Sequence, residues 1–151
     1  MPKILNRLLA EGRLRKHRTS AREIADLMGV VERDLADASL DALSTDRRFA
    51  IAYEAALRLA TLTLCCNGYE TYGAGHHRTT FQALKETMGA EGQGYADYFE
   101  GCRGKRAVAS YDRAGEISET DVNSLLQEVR AFEQEVLAWL RGHHPGLATE
   151  V

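Results

Sequence analysis

The sequence predicts an all-α protein, a single-domain bundle of five to six helices. Apolar residues recur at intervals of three and four over several long segments, which is the helical period. The two prolines, Pro2 and Pro145, stand near the ends of the chain, and no segment alternates as a strand does. We therefore assign residues 1–142 to the bundle and residues 143–151 to a short C-terminal tail.

Composition narrows the classes of function. The net charge is −3 and the pI about 6.0, so any binding of anions must come from a local basic patch. We find no apolar run of about 18 residues and no hydrophobic stretch typical of a secretory signal. Cys65, Cys66 and Cys102 lack metal-site spacing and are predicted to be reduced, as in the cytoplasm. We expect no membrane association, no cofactor and no metal.

The first half of the chain predicts helices over 2–11, 21–39 and 46–67. Ser20 and Glu23 have the spacing of a capping box, and Ser44 can cap the third helix. Between the first two helices lies a basic run over residues 13–18. This run can be a solvated connector or a patch that contacts phosphate.

The second half predicts a short helix over 77–88, a loop over 89–94 and a helix over 95–115. Ser118 and Asp121 resemble a second capping box, which opens a last helix over 119–142. The loop is predicted because three of its six residues, GAEGQG, are glycine.

His76 and His77 follow a glycine turn at the start of the 77–88 helix. They can bind an anion at the helix N-terminus, or pack and form hydrogen bonds there. A metal site is the least favoured interpretation, because no carboxylate or thiol stands at a recognisable offset from either residue.

The helix over 95–115 carries the residues with the clearest chemistry. At about 100° per residue, Arg103 and Arg106 lie about 60° apart, with Ser110 between them and Tyr111 about 80° to the other side of Arg103. Small residues between two guanidinium groups allow close approach of a phosphate. The alternative is that both arginines form ion pairs with acidic residues of neighbouring helices. Tyr111 is a poor base at neutral pH, and no nucleophile–base pair or phosphate-binding loop is visible.

Three segments resemble the HEPN domain family, a group of small all-helical domains. They are DRRFAIAYEAALRLA at 46–60, GAGHHRTTFQAL at 73–84 and YFEGCRGKRAVASYD at 98–112. The resemblance covers about residues 5–140 and is nearest to small stand-alone bacterial members. It implies an up-and-down helical core and a homodimer.

Active HEPN proteins are metal-independent ribonucleases with an R-x(4–6)-H motif on a late helix. Many are toxins paired with a nucleotidyltransferase antitoxin, which in some systems adenylylates a tyrosine beyond the motif. The resemblance makes Arg103 or Arg106 the motif arginine. The histidine position is then Ala109 or Tyr111, and in the former alignment Tyr111 matches the modified tyrosine.

Three hypotheses follow from these residues. The leading one is a homodimer that binds RNA or a nucleotide through a basic cleft. Its site residues lie on the 95–115 helix or at the start of the helix before it: Arg103, Arg106, Ser110, Tyr111, His76 and His77. The second is a divergent endoribonuclease that uses Arg106 and Tyr111 or recruits one of the two histidines. The third is a non-catalytic partner of a nucleotidyltransferase. Whether the protein is an enzyme stays open at this point.

Overall fold

The computed structural model describes residues 2–111 and 115–151, without the side chains of residues 108–111. Six α-helices and one small two-stranded sheet make up this part of the chain. The helices are α1 (Lys3–Ala10), α2 (Ala21–Ala38), α3 (Thr45–Cys66), α4 (His76–Thr87), α5 (Ala90–Tyr111) and α6 (Glu119–His143). The strands are β1 (Leu14–Lys16) and β2 (Tyr69–Thr71). The predicted all-α class is therefore confirmed.

Helix α3 is the centre of the bundle, since it packs against α2, α4, α5 and α6. Its alanines allow this close packing, and Ala52, Ala55, Ala56 and Ala60 are fully buried. By length and composition α3 is the one described helix apolar enough to cross a membrane, and 72% of its most apolar window is buried inside the bundle. Such burial is typical of a helix at the centre of a protein core.

Aromatic side chains connect four helices through the core. Tyr53 of α3 contacts Phe81 of α4, with ring centroids 5.8 Å apart, and Phe81 contacts Phe99 of α5 at 5.9 Å. Phe99 in turn contacts Phe132 of α6 at 5.2 Å. These contacts hold α4 and α5 against α3 at the level where the candidate site lies.

The basic run after α1 is partly a strand, which was not predicted from the sequence. β1 pairs antiparallel with β2, so that Arg15 lies opposite Glu70. Leu14 is buried, and Arg13 donates hydrogen bonds to Thr79 and Gln82 of α4. Three-residue strands are too short for a period-two pattern to be visible in the sequence.

Helix α5 begins at Ala90, so the prediction of a loop over 89–94 was wrong. Gly89 does end α4, with a left-handed φ of 72°, but Gly92 and Gly94 are helical. A Cβ atom on Gly92 would clash with the Leu84 carbonyl oxygen. The glycine is therefore required by the close approach of α4 and α5 rather than by a turn.

All three predicted capping residues, Ser20, Ser44 and Ser118, accept a hydrogen bond from the backbone three residues on. At α6 the capping box is complete, because Asp121 also binds the Ser118 backbone N–H. At α2 it is not, because the Glu23 carboxylate contacts Thr19 and His17 instead. Beyond α6, a short 3-10 turn at Pro145–Leu147 packs against α2 and α6.

Candidate functional site

The two arginines of α5 lie beside the buried face of that helix. Phe99 and Cys102 of α5 are buried in the core, and the side chains of Arg103 and Arg106 are 42% and 26% exposed. Both guanidinium groups thus sit at the edge of the bundle, in contact with protein on one side and water on the other.

Each arginine forms an ion pair with a nearby carboxylate. Arg103 Nε lies 2.8 Å from Glu100 Oε1 of the same helix. Arg106 Nη2 lies 3.3 Å from Glu54 Oε1 of α3. Arg106 Nε and Glu100 Oε2 are buried without a hydrogen-bond partner among the described residues. The alternative of an ion pair with a neighbouring helix therefore holds for Arg106, whereas Arg103 pairs within its own helix.

Tertiary packing brings a histidine to this arginine pair. The Tyr53 hydroxyl lies 3.1 Å from His77 Nδ1, and the Arg106 guanidinium carbon lies 5.5 Å from the centre of the same tyrosine ring. Tyr53 is fully buried in α3 and therefore holds both groups in place. The cation–ring contact adds a favourable interaction to the Arg106–Glu54 pair.

Burial sets the protonation of this cluster. Desolvation lowers the pKa of His77 below its usual 6.5; the Glu54 charge raises it, and those of Arg106 and Arg103 lower it further. Burial also raises the pKa of Tyr53 well above its ordinary value. Both side chains are consequently neutral at neutral pH, and the His77 imidazole can accept a proton.

The N-terminus of α4 adds a second source of positive potential. Gly75, with a left-handed φ of 75°, occupies the N-cap position and supplies no capping side chain. His76 and Arg78 of the first turn are exposed. Free backbone N–H groups and the helix dipole at such a terminus favour a bound anion.

Two surface grooves flank the arginines. A groove of about 380 Å³ between α4 and α5 is lined by Arg78, Lys85, Asp97, Glu100 and Arg103, among others. A second groove, of about 520 Å³, is lined by residues of α3 and by Arg106. The two arginines therefore face different grooves, and the positive charge of each arginine is partly neutralised by a carboxylate.

The structure places the predicted site residues as follows. Arg106 and His77 contact Tyr53, Arg103 pairs with Glu100 at the groove between α4 and α5, and His76 is exposed at the start of α4. The side chains of Ser110 and Tyr111 lie outside the described part of the chain. In that part, His76 and His77 belong to no group of three potential metal ligands.

Sequence reasoning missed Tyr53, Glu54 and Glu100. Tyr53 was assigned only to the core stripe, which is correct for its ring but overlooks its hydroxyl. One signal was available for Glu54: it is the single acidic residue in the apolar stretch FAIAYEAAL. A carboxylate within such a stretch indicates a partner of opposite charge.

Comparison with known proteins gives one family. The sequence model of SAV_6107-like HEPN domains matches residues 36–137, which run from the end of α2 to α6. No curated protein and no solved structure shows a significant match to the chain.

Proposed function

The chain belongs to the HEPN domain family, and from this we propose that it binds the phosphates of RNA or of a nucleotide through Arg103 and Arg106. Family membership indicates a nuclease, RNA-related or toxin-like role. The proposed binding surface consists of the two arginines of α5 and the first turn of α4, and we call it the arginine surface.

One observation carries the proposal: two partly exposed arginine side chains lie within one turn of α5, each held by a single carboxylate in the described chain. The carboxylates of Glu54 and Glu100 bind these guanidinium groups in the way that a phosphate would. A phosphate group has three acceptor oxygens and can replace a carboxylate on a guanidinium fork. His76 and Arg78 of α4 extend the same surface.

We further propose that two copies of the chain bring their arginine surfaces together. The expectation rests on the resemblance to dimeric members of the family. Two copies would supply four arginines to one cleft, and this would concentrate positive charge locally although each chain carries a net charge of −3.

The test is a fluorescence titration of labelled single-stranded RNA, and of a labelled nucleotide, between about 50 and about 200 mM salt. We expect binding that weakens with salt. The Arg103→Ala/Arg106→Ala variant should bind more weakly, and its salt slope should fall by about 0.7 for each phosphate contact removed. Comparing the two probes separates RNA from nucleotide binding.

Two variants serve as controls. Arg22→Ala removes an exposed α2 arginine that pairs only locally with Asp26, and it should leave binding unchanged. Glu54→Gln should tighten binding, because it releases Arg106 from its carboxylate. Equal and salt-insensitive binding by the wild type and the double arginine variant would refute the proposal.

A second candidate, metal-independent endoribonuclease activity, is favoured by the position of His77. The family histidine is missing from α5, yet a neutral imidazole from α4 lies beside Tyr53 and Arg106. Such an imidazole can act as the general base toward a ribose hydroxyl, and the arginine can stabilise charge on the phosphate.

RNA cleavage in the presence of EDTA tests this candidate. His77→Gln and Arg106→Ala should each lower the cleavage rate by about 100-fold or more. His143→Gln is the control, since His143 is an exposed histidine of α6 outside the arginine surface, and it should cleave normally. Equal cleavage by His77→Gln and wild type, or no cleavage by wild type, would remove this candidate and leave binding as the function.

A further inference from the structure

A second cluster of reactive side chains lies away from the arginine surface, where the connector after β1 meets α2 and α3. His17, Glu23 and Cys65 each offer one potential ligand atom, and these three atoms lie within 4.8 Å of one another. His17 Nε2 is 2.7 Å from Glu23 Oε1. The Cys65 thiol is buried, while the other two side chains are partly exposed.

Neighbouring groups orient both of the polar members. His17 Nδ1, on the far side of the ring, lies 3.5 Å from Glu70 Oε2, and Arg15 holds that carboxylate at 3.0 Å. The Thr19 hydroxyl donates a hydrogen bond of 2.6 Å to Glu23 Oε1. In protein metal sites, a carboxylate commonly accepts a hydrogen bond from the ring nitrogen of histidine that does not bind the metal, and Glu70 lies on that side of His17. The carboxylate ligand is in turn commonly held by a hydrogen bond, as Glu23 is here by Thr19.

Backbone bonds fix the cluster as well. The His17 N–H donates to the Gly68 carbonyl oxygen at 2.9 Å, and the Gly68 N–H donates to the Cys65 carbonyl oxygen at 2.9 Å. His17 and Cys65 are therefore joined through a single residue of the main chain. Their side chains stay together although 48 positions separate them in the sequence.

We propose that His17, Glu23 and Cys65 bind one divalent cation of the class that accepts nitrogen, oxygen and thiolate ligands together, for which Zn²⁺ is the physiological representative. In a tetrahedral zinc site the ligand atoms lie about 3.3 to 3.8 Å apart, so small rotations of the partly exposed His17 and Glu23 side chains complete the shell. Water takes the fourth position. On binding, Cys65 releases its thiol proton to solvent and His17 coordinates as the neutral imidazole.

The ion would tie the connector to the first turn of α2 and the last turn of α3. It would replace the direct His17–Glu23 contact and stabilise the edge of the bundle on which β1 and β2 pair. This inference does not depend on the function of the arginine surface, and neither experiment above includes its residues.

Titration of the full chain with Co²⁺ tests the site, because a cobalt–thiolate bond gives a charge-transfer band in the near ultraviolet. We expect one equivalent of Co²⁺ to produce this band and one equivalent of Zn²⁺ to abolish it. Cys65→Ser should lose the band, and Glu70→Gln should weaken Co²⁺ binding by about 10- to 100-fold. Zn²⁺ should also raise the melting temperature of the wild type.

Cys66→Ser is the matched control, since Cys66 follows Cys65 on α3 but points about 100° around the helix, and it should keep the band. If Cys65→Ser fails to fold, His17→Gln provides the same test at a partly exposed position. The proposal is overturned if one equivalent of Co²⁺ gives no thiolate band, or if Cys66→Ser loses the band and Cys65→Ser keeps it.

Discussion

At the scale of single residues, the Tyr53 hydroxyl joins a histidine of α4 to the arginine helix. Its ring belongs to the core, and its oxygen lies 3.1 Å from His77 Nδ1. The sequence shows the first property, because Tyr53 falls on the apolar stripe of α3. The second property depends on where α4 starts, and nothing local in the sequence determines that, since Tyr53 and His77 are 24 positions apart.

The lowered pKa of His77 predicts a pH dependence of stability. The unfolded chain takes up the proton near the usual pKa of 6.5, while the folded chain resists it because of burial and the charges of Arg106, Arg103 and His76, opposed by Glu54. Between these two pKa values the unfolded state binds more protons, so stability falls as the pH falls below about 6.5.

We expect the urea midpoint to drop between about pH 7.5 and about pH 5.5, and His77→Gln to show a smaller drop than the wild type. Glutamine keeps a hydrogen-bonding group near Tyr53 but does not titrate. His76→Gln removes only the smallest of the charges that lower the pKa of His77, so its drop should be much closer to that of the wild type than to that of His77→Gln. An unchanged pH dependence in His77→Gln would contradict the assignment.

At the scale of elements, the contact between α4 and α5 explains the wrong loop prediction over 89–94. Glycine costs roughly 1 kcal/mol relative to alanine in a helix, so three glycines in six residues favour a turn. At Gly92 the close packing of α4 against α5 offsets this cost, because any side chain there would clash with the Leu84 carbonyl. Gly94 faces open space, and no such contact explains it.

These two glycines give a matched pair of substitutions. Gly92→Ala should destabilise the fold by about 1 to 3 kcal/mol, because α4 and α5 must move apart. Gly94→Ala should stabilise it by up to about 1 kcal/mol, because it restricts the unfolded chain and creates no clash. Urea denaturation of both variants measures the difference, and equal midpoints would show that the close approach is unimportant.

At the scale of the whole molecule, the six helices place the arginine surface on one side of α3 and the His17–Glu23–Cys65 cluster at its C-terminal end. Family membership accounts for the helical fold over residues 36–137. Dimerisation is the property on which a composite cleft depends. It remains a prediction from the resemblance to the family.

Sedimentation velocity at micromolar concentration tests the dimer. We expect a mass of twice the 16.7 kDa of one chain. The Glu54→Gln variant should sediment with the same mass as the wild type. Its expected effect on RNA binding comes from releasing Arg106 and not from a change in dimerisation. A monomer at this concentration would remove the composite cleft, although each chain would still present its own arginine surface.

The sequence by itself determined the helices apart from the start of α5, since apolar periodicity and capping residues such as Ser20, Ser44 and Ser118 are local signals. It also pointed to Arg103 and Arg106, because charge spacing on one helix follows from helix geometry. Only the tertiary structure decided that Glu54 forms an ion pair with Arg106, that His77 contacts the Tyr53 hydroxyl, and that His17 lies near Cys65. The physical reason is that these contacts join residues far apart in the chain. Their distances are set by how α3, α4, α5 and the connector after β1 pack, and no periodicity within one segment encodes that packing.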